Sequence, residues 1–240
     1  MATPVVNSVG DIAFGNGITV NPGASHTVDD IDVTLLETVD SSVISLATPN
    51  GFAEVTALNQ VIAGATQMSV WWRRWNGTDG SPVFASADNH QIARMISISG
   101  CITSGDPWDI VLTGITDSVA DTSVEIIGGT TTVAECLILA MVVQELPDAN
   151  STAQFTSWAN ADLSSVTEQM DNARNVGNGG AVGMATGEKA TAGLFGTTTA
   201  TAATSSRRVG GMLALKPPAV AGPRPHLHIP QKLQPVRFRP

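Results

Sequence analysis

The chain has 240 residues, 42% of them hydrophobic and only 14% charged, with a formal charge of −9. Soluble chains usually carry about a quarter charged residues, so this surface must be finished with Thr, Ser, Asn and Gly or be covered by partners. Residues 217–240 hold four of the twelve basic residues and none of the twenty-one acids, leaving −13 on residues 1–216 (−9 less +4). Phosphates would be repelled by such a body, which argues against nucleic acid as its partner.

The opening "MATPVVNSVGDIAF" has neither a basic segment nor an apolar run after it, so no secretory leader is expected. The acidic triplet Asp29, Asp30 and Asp32 could offer oxygen ligands to Ca²⁺. It lacks the Gly and distal Glu of a dedicated loop, and a solvated turn before "VTLLE" is the favoured reading. Residues 54–65 predict one or two helical turns. "QMSVWWRRW" (67–75) predicts a strand, rich in β-branched and aromatic residues and closed by the turn "NGTDGSP". Along that strand Trp71, Arg73 and Trp75 share one face, and Trp72 and Arg74 the other. The five residues suit either core packing with a structural arginine or an exposed interface or ligand face. Asn76 opens a formal glycosylation sequon, "NGT", read here as a hairpin turn.

Asp88 and His90 lie close together, but no G-x-S-x-G or other activated nucleophile accompanies them. "QIARMISISG" (91–100) alternates with Ile96 and Ile98 on one face, a second strand. "GDPWD" (105–109) is a turn in which Asp106 or Asp109 can bond turn amides. Further strands are predicted at 109–114, 122–129, 135–146, 179–189 and 208–216, and helical turns at 160–171. The longest apolar run, Cys136–Val143, is far below the roughly 20 residues of a membrane-spanning helix. "GNGGAVG" (177–183) lacks the following helix of a phosphate loop, so its glycines are read as serving close packing or a bulge. The Thr-rich segment 190–206 is read as a strand or hairpin with Thr197, Thr199 and Thr201 on a solvated face. Cys101 and Cys136 each border an apolar run. Two buried thiols are expected, with a single bridge between neighbouring strands as the other possibility. Many short strands at even spacing predict an all-β fold, an antiparallel β-sandwich of jelly-roll type over residues 1–216.

Pro217 and Pro218 end sheet pairing, since neither has an N–H. Seven of the thirteen prolines then fall within residues 217–240. This strip is predicted to be an extended arm. Its Leu227, Ile229, Leu233, Val236 and Phe238 exceed what a solvated linker needs. With Arg224, His226, His228, Lys232, Arg237 and Arg239 they form a candidate docking surface for another protein. His226 and His228 alone make a weak metal site. No cofactor, metal or catalytic set is predicted.

The segments "RMISISGCITSGDPWD", "SVEIIGGTTTVAECLILAMV" and the stretch from "SWANADLSSVTEQMD" to "MLALKP" resemble β-rich accessory proteins of tailed bacteriophage virions. The resemblance covers roughly residues 4–216 and is one of strand and turn pattern, while the C-terminal strip is not part of it. It implies a non-enzymatic virion structural protein, made in the host cytoplasm: a capsid decoration (cement) or head-fibre protein. On this reading the arm docks on a neighbouring virion protein, such as the major capsid or a tail or fibre protein. A symmetric homo-oligomer, for example a trimer, goes with it. The alternative it implies is a tail-fibre or adhesin module that binds host surface glycan. No nucleic-acid partner and no membrane insertion are expected.

Overall fold

The computed structural model of the chain describes residues 2–39, 44–86, 89–146 and 153–219. Among these residues lie eighteen strands and one short 3₁₀ turn. In chain order they are β1 (Val5–Val9), β2 (Ala13–Gly15), β3 (Ile31–Thr38), β4 (Leu46–Thr48), β5 (Ala53–Glu54), the 3₁₀ turn Thr56–Leu58, β6 (Gln60–Ile62), β7 (Thr66–Arg74), β8 (Val83–Phe84), β9 (Gln91–Ser99), β10 (Trp108–Leu112), β11 (Thr116–Ile126), β12 (Thr130–Thr131), β13 (Cys136–Glu145), β14 (Phe155–Ala159), β15 (Ser164–Arg174), β16 (Gly180–Lys189), β17 (Gly193–Leu194) and β18 (Thr198–Leu215). The protein is an antiparallel β-sandwich. Its first sheet runs β1-β9-β3-β7-β5, with β2 also on β9 and β6 also on β7. Its second runs β10-β18-β13-β16-β15, with β11 and β14 also on β18. The pairs β4–β8 and β12–β17 form two small ribbons.

The central strands are apolar on both faces, and both faces are buried. From the first sheet, Ile31, Val33, Leu35, Met68, Val70, Ile96 and Ile98 point inward. They meet Leu139, Met141, Val143, Val182, Met184 and Leu213 of the second. The residues between them point outward into two further cores. Leu36, Trp71, Ala93 and Met95 are covered by Ile18, Val20, Phe52 and Phe84. On the other side Ile138, Ala140, Val142, Met212 and Ala214 are covered by Val124, Ile126, Phe155, Phe195, Ala200 and Ala202. This explains the unbroken run "CLILAMVV": a strand sandwiched on both sides has no polar face to display.

The sheets also interlock through missing side chains. A Cβ on Gly211 of β18 would lie 2.5 Å from Leu58 Cδ2 and 3.0 Å from Met68 Cε. The 3₁₀ turn and β7 thus press side chains into the gap this glycine leaves. Gly183 on β16 plays the same part outside, where a Cβ would come within 2.4 Å of the Phe155 ring. "GNGGAVG" therefore serves close packing, as the sequence suggested, with Gly177 and Gly179 at positive φ in the turn before β16.

One local expectation is corrected, that of helical turns at 160–171. Residues 160–171 form no helical turns; from Ser164 they are β15, paired with β16 through Thr167↔Thr186 and Asp171↔Gly183. The polar stretch has no stripe of 3.6-residue period to bury, whereas the open edge of β16 offers backbone partners. Residues 54–65 keep a single 3₁₀ turn, flanked by β5 and β6. The Thr-rich segment is the first half of the 18-residue β18, with Thr199 and Thr201 exposed and Thr198, Ala200 and Ala202 buried. β18 ends at Leu215, and Lys216 is still held by bonds to Pro107 O and from Ile102 N.

Gly211→Val is expected to lower the free energy of unfolding by about 1–3 kcal/mol, the usual effect of overpacking a filled core. Denaturant unfolding monitored by tryptophan fluorescence checks this, and unchanged stability would contradict the interlock.

Candidate functional site

The stretch "WWRRW" crosses the end of β7, and its side chains are divided between the two faces of the sheet. Arg73 points outward from the first sheet but is only 2% exposed. Its Nε donates to Asp32 Oδ2 at 2.8 Å, and its Nη1 donates to the carbonyls of Asn50 (3.0 Å) and Gly80 (2.7 Å). Its guanidinium also lies over the Phe52 ring, 4.7 Å from the centroid. Asp32, fully buried on the adjacent β3, accepts a further bond from Ser97 Oγ of β9 at 2.7 Å. One carboxylate thus joins three neighbouring strands, while the arginine reaches over to the loops that cover the sheet. Trp71 packs edge-on against Phe84 in the same outer core. Trp72 points inward and meets Trp108 edge-on at 4.6 Å. Arg74 donates to Gly105 O at 3.1 Å. Trp75 stacks on His26 at 3.8 Å, and His26 Nε2 lies 2.8 Å from Asp32 Oδ1.

The acidic triplet departs from the expected solvated turn. Only Asp29 is exposed, at φ 73°. Asp30 is buried and accepts from Thr27 N and Asn7 Nδ2, each at 2.8 Å. Asp32 belongs to β3 itself. The physical reason is the arginine: a carboxylate enters a sheet interior when a guanidinium and a hydroxyl meet it there.

A second buried pair lies between the sheets, where sequence proximity had linked His90 to Asp88. Asp88 lies outside the described residues; the partner of His90 is Glu37, fifty-three positions away. Both are fully buried, with His90 Nε2 2.8 Å from Glu37 Oε2. Thr66 donates to Glu37 Oε1 at 2.7 Å. A Cβ on Gly180, in the opposite sheet, would fall 2.1 Å from Oε2, so glycine makes room for the carboxylate.

The protons of this pair can be counted. Asn89 Oδ1 accepts from the backbone N–H of Asn178 at 3.0 Å, so His90 Nδ1, 3.0 Å from the same oxygen, must donate. One more proton then sits between Nε2 and the carboxylate. Burial raises the Glu37 carboxyl above its ordinary value, outweighing the bond and charge of His90 and the bond from Thr66. Burial works the other way on His90, but the bond and charge of Glu37, helped by Asn178, hold the imidazole above its ordinary value.

The third charged cluster borders an open cleft. Arg208 of β18 has no exposed surface. Its Nη1 reaches Asp117 Oδ2 (3.1 Å), Asp121 Oδ1 (2.6 Å) and Ser123 O, and its Nη2 reaches Asp121 O. The bond from Arg208 lowers the Asp121 carboxyl below its ordinary range. In front of this cluster is a cleft of about 430 Å³, lined by Ile115, Asp117, Asp121, Glu125 and Ile127 among others. The sequence reading missed it, because the arginine and its acids lie on strands far apart in the chain.

Elsewhere the polar motifs finish turns. Asn76 Oδ1 accepts the amides of Thr78 (2.9 Å) and Asp79 (3.0 Å), and Asp109 accepts those of Thr132 and Val133. Cys101 and Cys136 are free and sit in different cores, where burial pushes both thiols up to about 12. Arg224, His226, Leu227, His228, Ile229, Lys232, Leu233, Arg237, Phe238 and Arg239 lie outside the described residues. Among the described residues no group of three or more His, Cys, Asp or Glu is placed to hold a metal ion, and no helix is long and apolar enough to cross a membrane.

Comparison with protein-family models, curated proteins and solved structures found no match.

Two outcomes follow from the buried pairs. Arg73→Met is expected to destabilise the protein by about 3–5 kcal/mol, because it strands a buried carboxylate, and Asp32→Asn added to it should regain part of the loss. A double-mutant cycle in denaturant measures both. For Glu37 and His90 both shifts are upward, so the fold binds their protons more tightly than the unfolded chain does. The Glu37 contribution is complete below the carboxyl's ordinary 4.5 and that of His90 below the imidazole's ordinary 6.5, and each is lost as pH rises through its raised value. Unfolding free energy measured on the alkaline side of 6.5 should fall with pH, and Glu37→Gln should flatten that fall; a parent protein that gains stability there would contradict the assignment.

Proposed function

We propose that this chain is a non-enzymatic structural protein of a tailed-bacteriophage virion. In this reading it is a capsid decoration or head-fibre protein, anchored to a neighbouring virion protein through residues 217–240. The observation that carries the reading is the use made of the buried charge. Asp30, Asp32, Glu37, Arg73, His90 and Arg208, the charged and imidazole side chains buried among the described residues, all find partners within the fold. Each joins strands or pins a covering loop. A body built this way invests its ionic groups in rigidity, which suits a particle component exposed to mechanical and chemical stress. What remains for recognition is an acidic exterior and a basic, proline-rich strip of opposite charge.

The glycan-binding alternative drew on exposed tryptophans. It has less support, because Trp71 is 8% exposed, Trp72 packs on Trp108 and Trp75 stacks on His26.

Deleting residues 217–240 should leave the sandwich folded and sharply reduce the copies of the protein bound per purified particle, as read by quantitative gel or mass spectrometry. Normal occupancy by the truncated chain would overturn the anchoring role.

A further inference from the structure

The cleft beside Arg208 combines features that a solvated acidic patch does not need together. Asp117, Asp121 and Glu125 set its charge, and Ile115 and Ile127 give it an apolar wall, with Ile127 54% exposed. Arg208, wholly buried, holds Asp117 and Asp121 in place. Its own Nε is buried with no hydrogen-bond partner among the described residues. No partner for the Glu125 carboxylate is found among the described residues, and three acids against one arginine leave the cleft negative. The ligand that fits is a segment with cationic side chains, an apolar residue beside them, and free backbone carbonyls.

This chain carries such a segment. Arg237, Phe238 and Arg239 end a strip that also has Arg224 and Lys232 and no acid. In an extended backbone the side chains of residues 237 and 239 project to one side and that of residue 238 to the other. Prolines keep their carbonyls while lacking the N–H groups that would pair them. The cleft lies where β11 meets β18, at Asp117↔Arg208 and Ser123↔Thr201. β18 then runs on to Leu215, and Lys216 is tied to Pro107 and Ile102 before Pro217 and Pro218. The chain therefore leaves the sheet heading away from its own cleft. At about 3.1 Å per residue, some twenty residues of extended strip span roughly 60 Å, enough to reach an adjacent molecule.

We propose that the cleft formed by Asp117, Asp121, Glu125, Ile115 and Ile127 receives the Arg237–Arg239 end of the basic strip from a second copy of this chain, linking copies head to tail. Such a heterologous contact closes into a ring when its rotation permits. The inference rests on the docking role proposed for the strip, and it names the partner.

The test is sedimentation of the full chain over a range of concentrations at low ionic strength. The parent should self-associate, and added salt should weaken the association. Glu125→Lys, at an exposed position away from the three cores, should weaken it about tenfold, as should Arg237→Glu with Arg239→Glu. Combining the two sets should regain part of the lost association, because the lysine placed at position 125 then faces the introduced carboxylates. A synthetic peptide of residues 217–240 should compete with it. A parent that stays monomeric throughout, or variants that associate as the parent does, would overturn the proposal. If deleting residues 217–240 empties the particle sites while Glu125→Lys leaves self-association unchanged, the cleft is wrong and the anchoring role stands.

Discussion

Burial on both faces of both sheets is the constraint from which the rest of the structure follows. A sandwich with one solvated face per sheet needs apolar residues only at alternate positions. Here β3, β7, β9, β13 and β16 present apolar residues on both sides, so each sheet needs an outer cover as well as a partner. The loops and ribbons around Val20, Phe52 and Phe84 cover the first sheet. β11, β14 and the Thr-rich half of β18 cover the second. Glycines at 183 and 211 are the complement of this crowding, because a strand pressed from both sides must give up some volume.

Buried charge then acts as the fastener for the covers. Irregular segments bury less apolar area per residue than paired strands, and their backbone carbonyls need donors. Arg73 supplies them for Asn50 and Gly80, and Arg208 for Asp121 and Ser123. Each arginine is held in turn by a carboxylate on a neighbouring strand. Glu37 and His90 do comparable work between the sheets, sharing a proton in a place closed to water. Such pairs add less stability than an equal volume of hydrocarbon, but removing one partner is strongly destabilising. They therefore favour one arrangement of the covers over its alternatives.

The all-β class and most strand positions were legible in the sequence, because Val, Ile, Trp and Thr runs between turn residues carry that signal locally. "QMSVWWRRW", "QIARMISISG" and "ECLILAMVVQEL" became β7, β9 and β13 with ends shifted by a residue or so. Alternation also assigned Trp71 and Arg73 to one face and Trp72 to the other. The partners were not legible. Asp32 seemed to belong with Asp29 and Asp30, and His90 with Asp88, because proximity in sequence was the only guide. Their real partners, Arg73 and Glu37, are set by strand registers across dozens of residues. The cleft was hidden for the same reason, since Asp117, Asp121 and Arg208 meet only when β11 lies on β18. β15 was misread because its polar sequence takes its strand form from pairing with β16 rather than from its own residues.

In the function proposed above, the chain serves two tasks: an acidic, internally fastened body, and a basic strip that would make the attachment. Electron cryomicroscopy of the assembled particle measures this most directly. The account predicts the sandwich on the particle surface, with residues 224–239 in continuous density against an acidic surface of an adjacent subunit and Trp71 and Arg73 remote from any contact. Density for the body docked through its own sheet faces or loops, with the strip touching no neighbour, would contradict it.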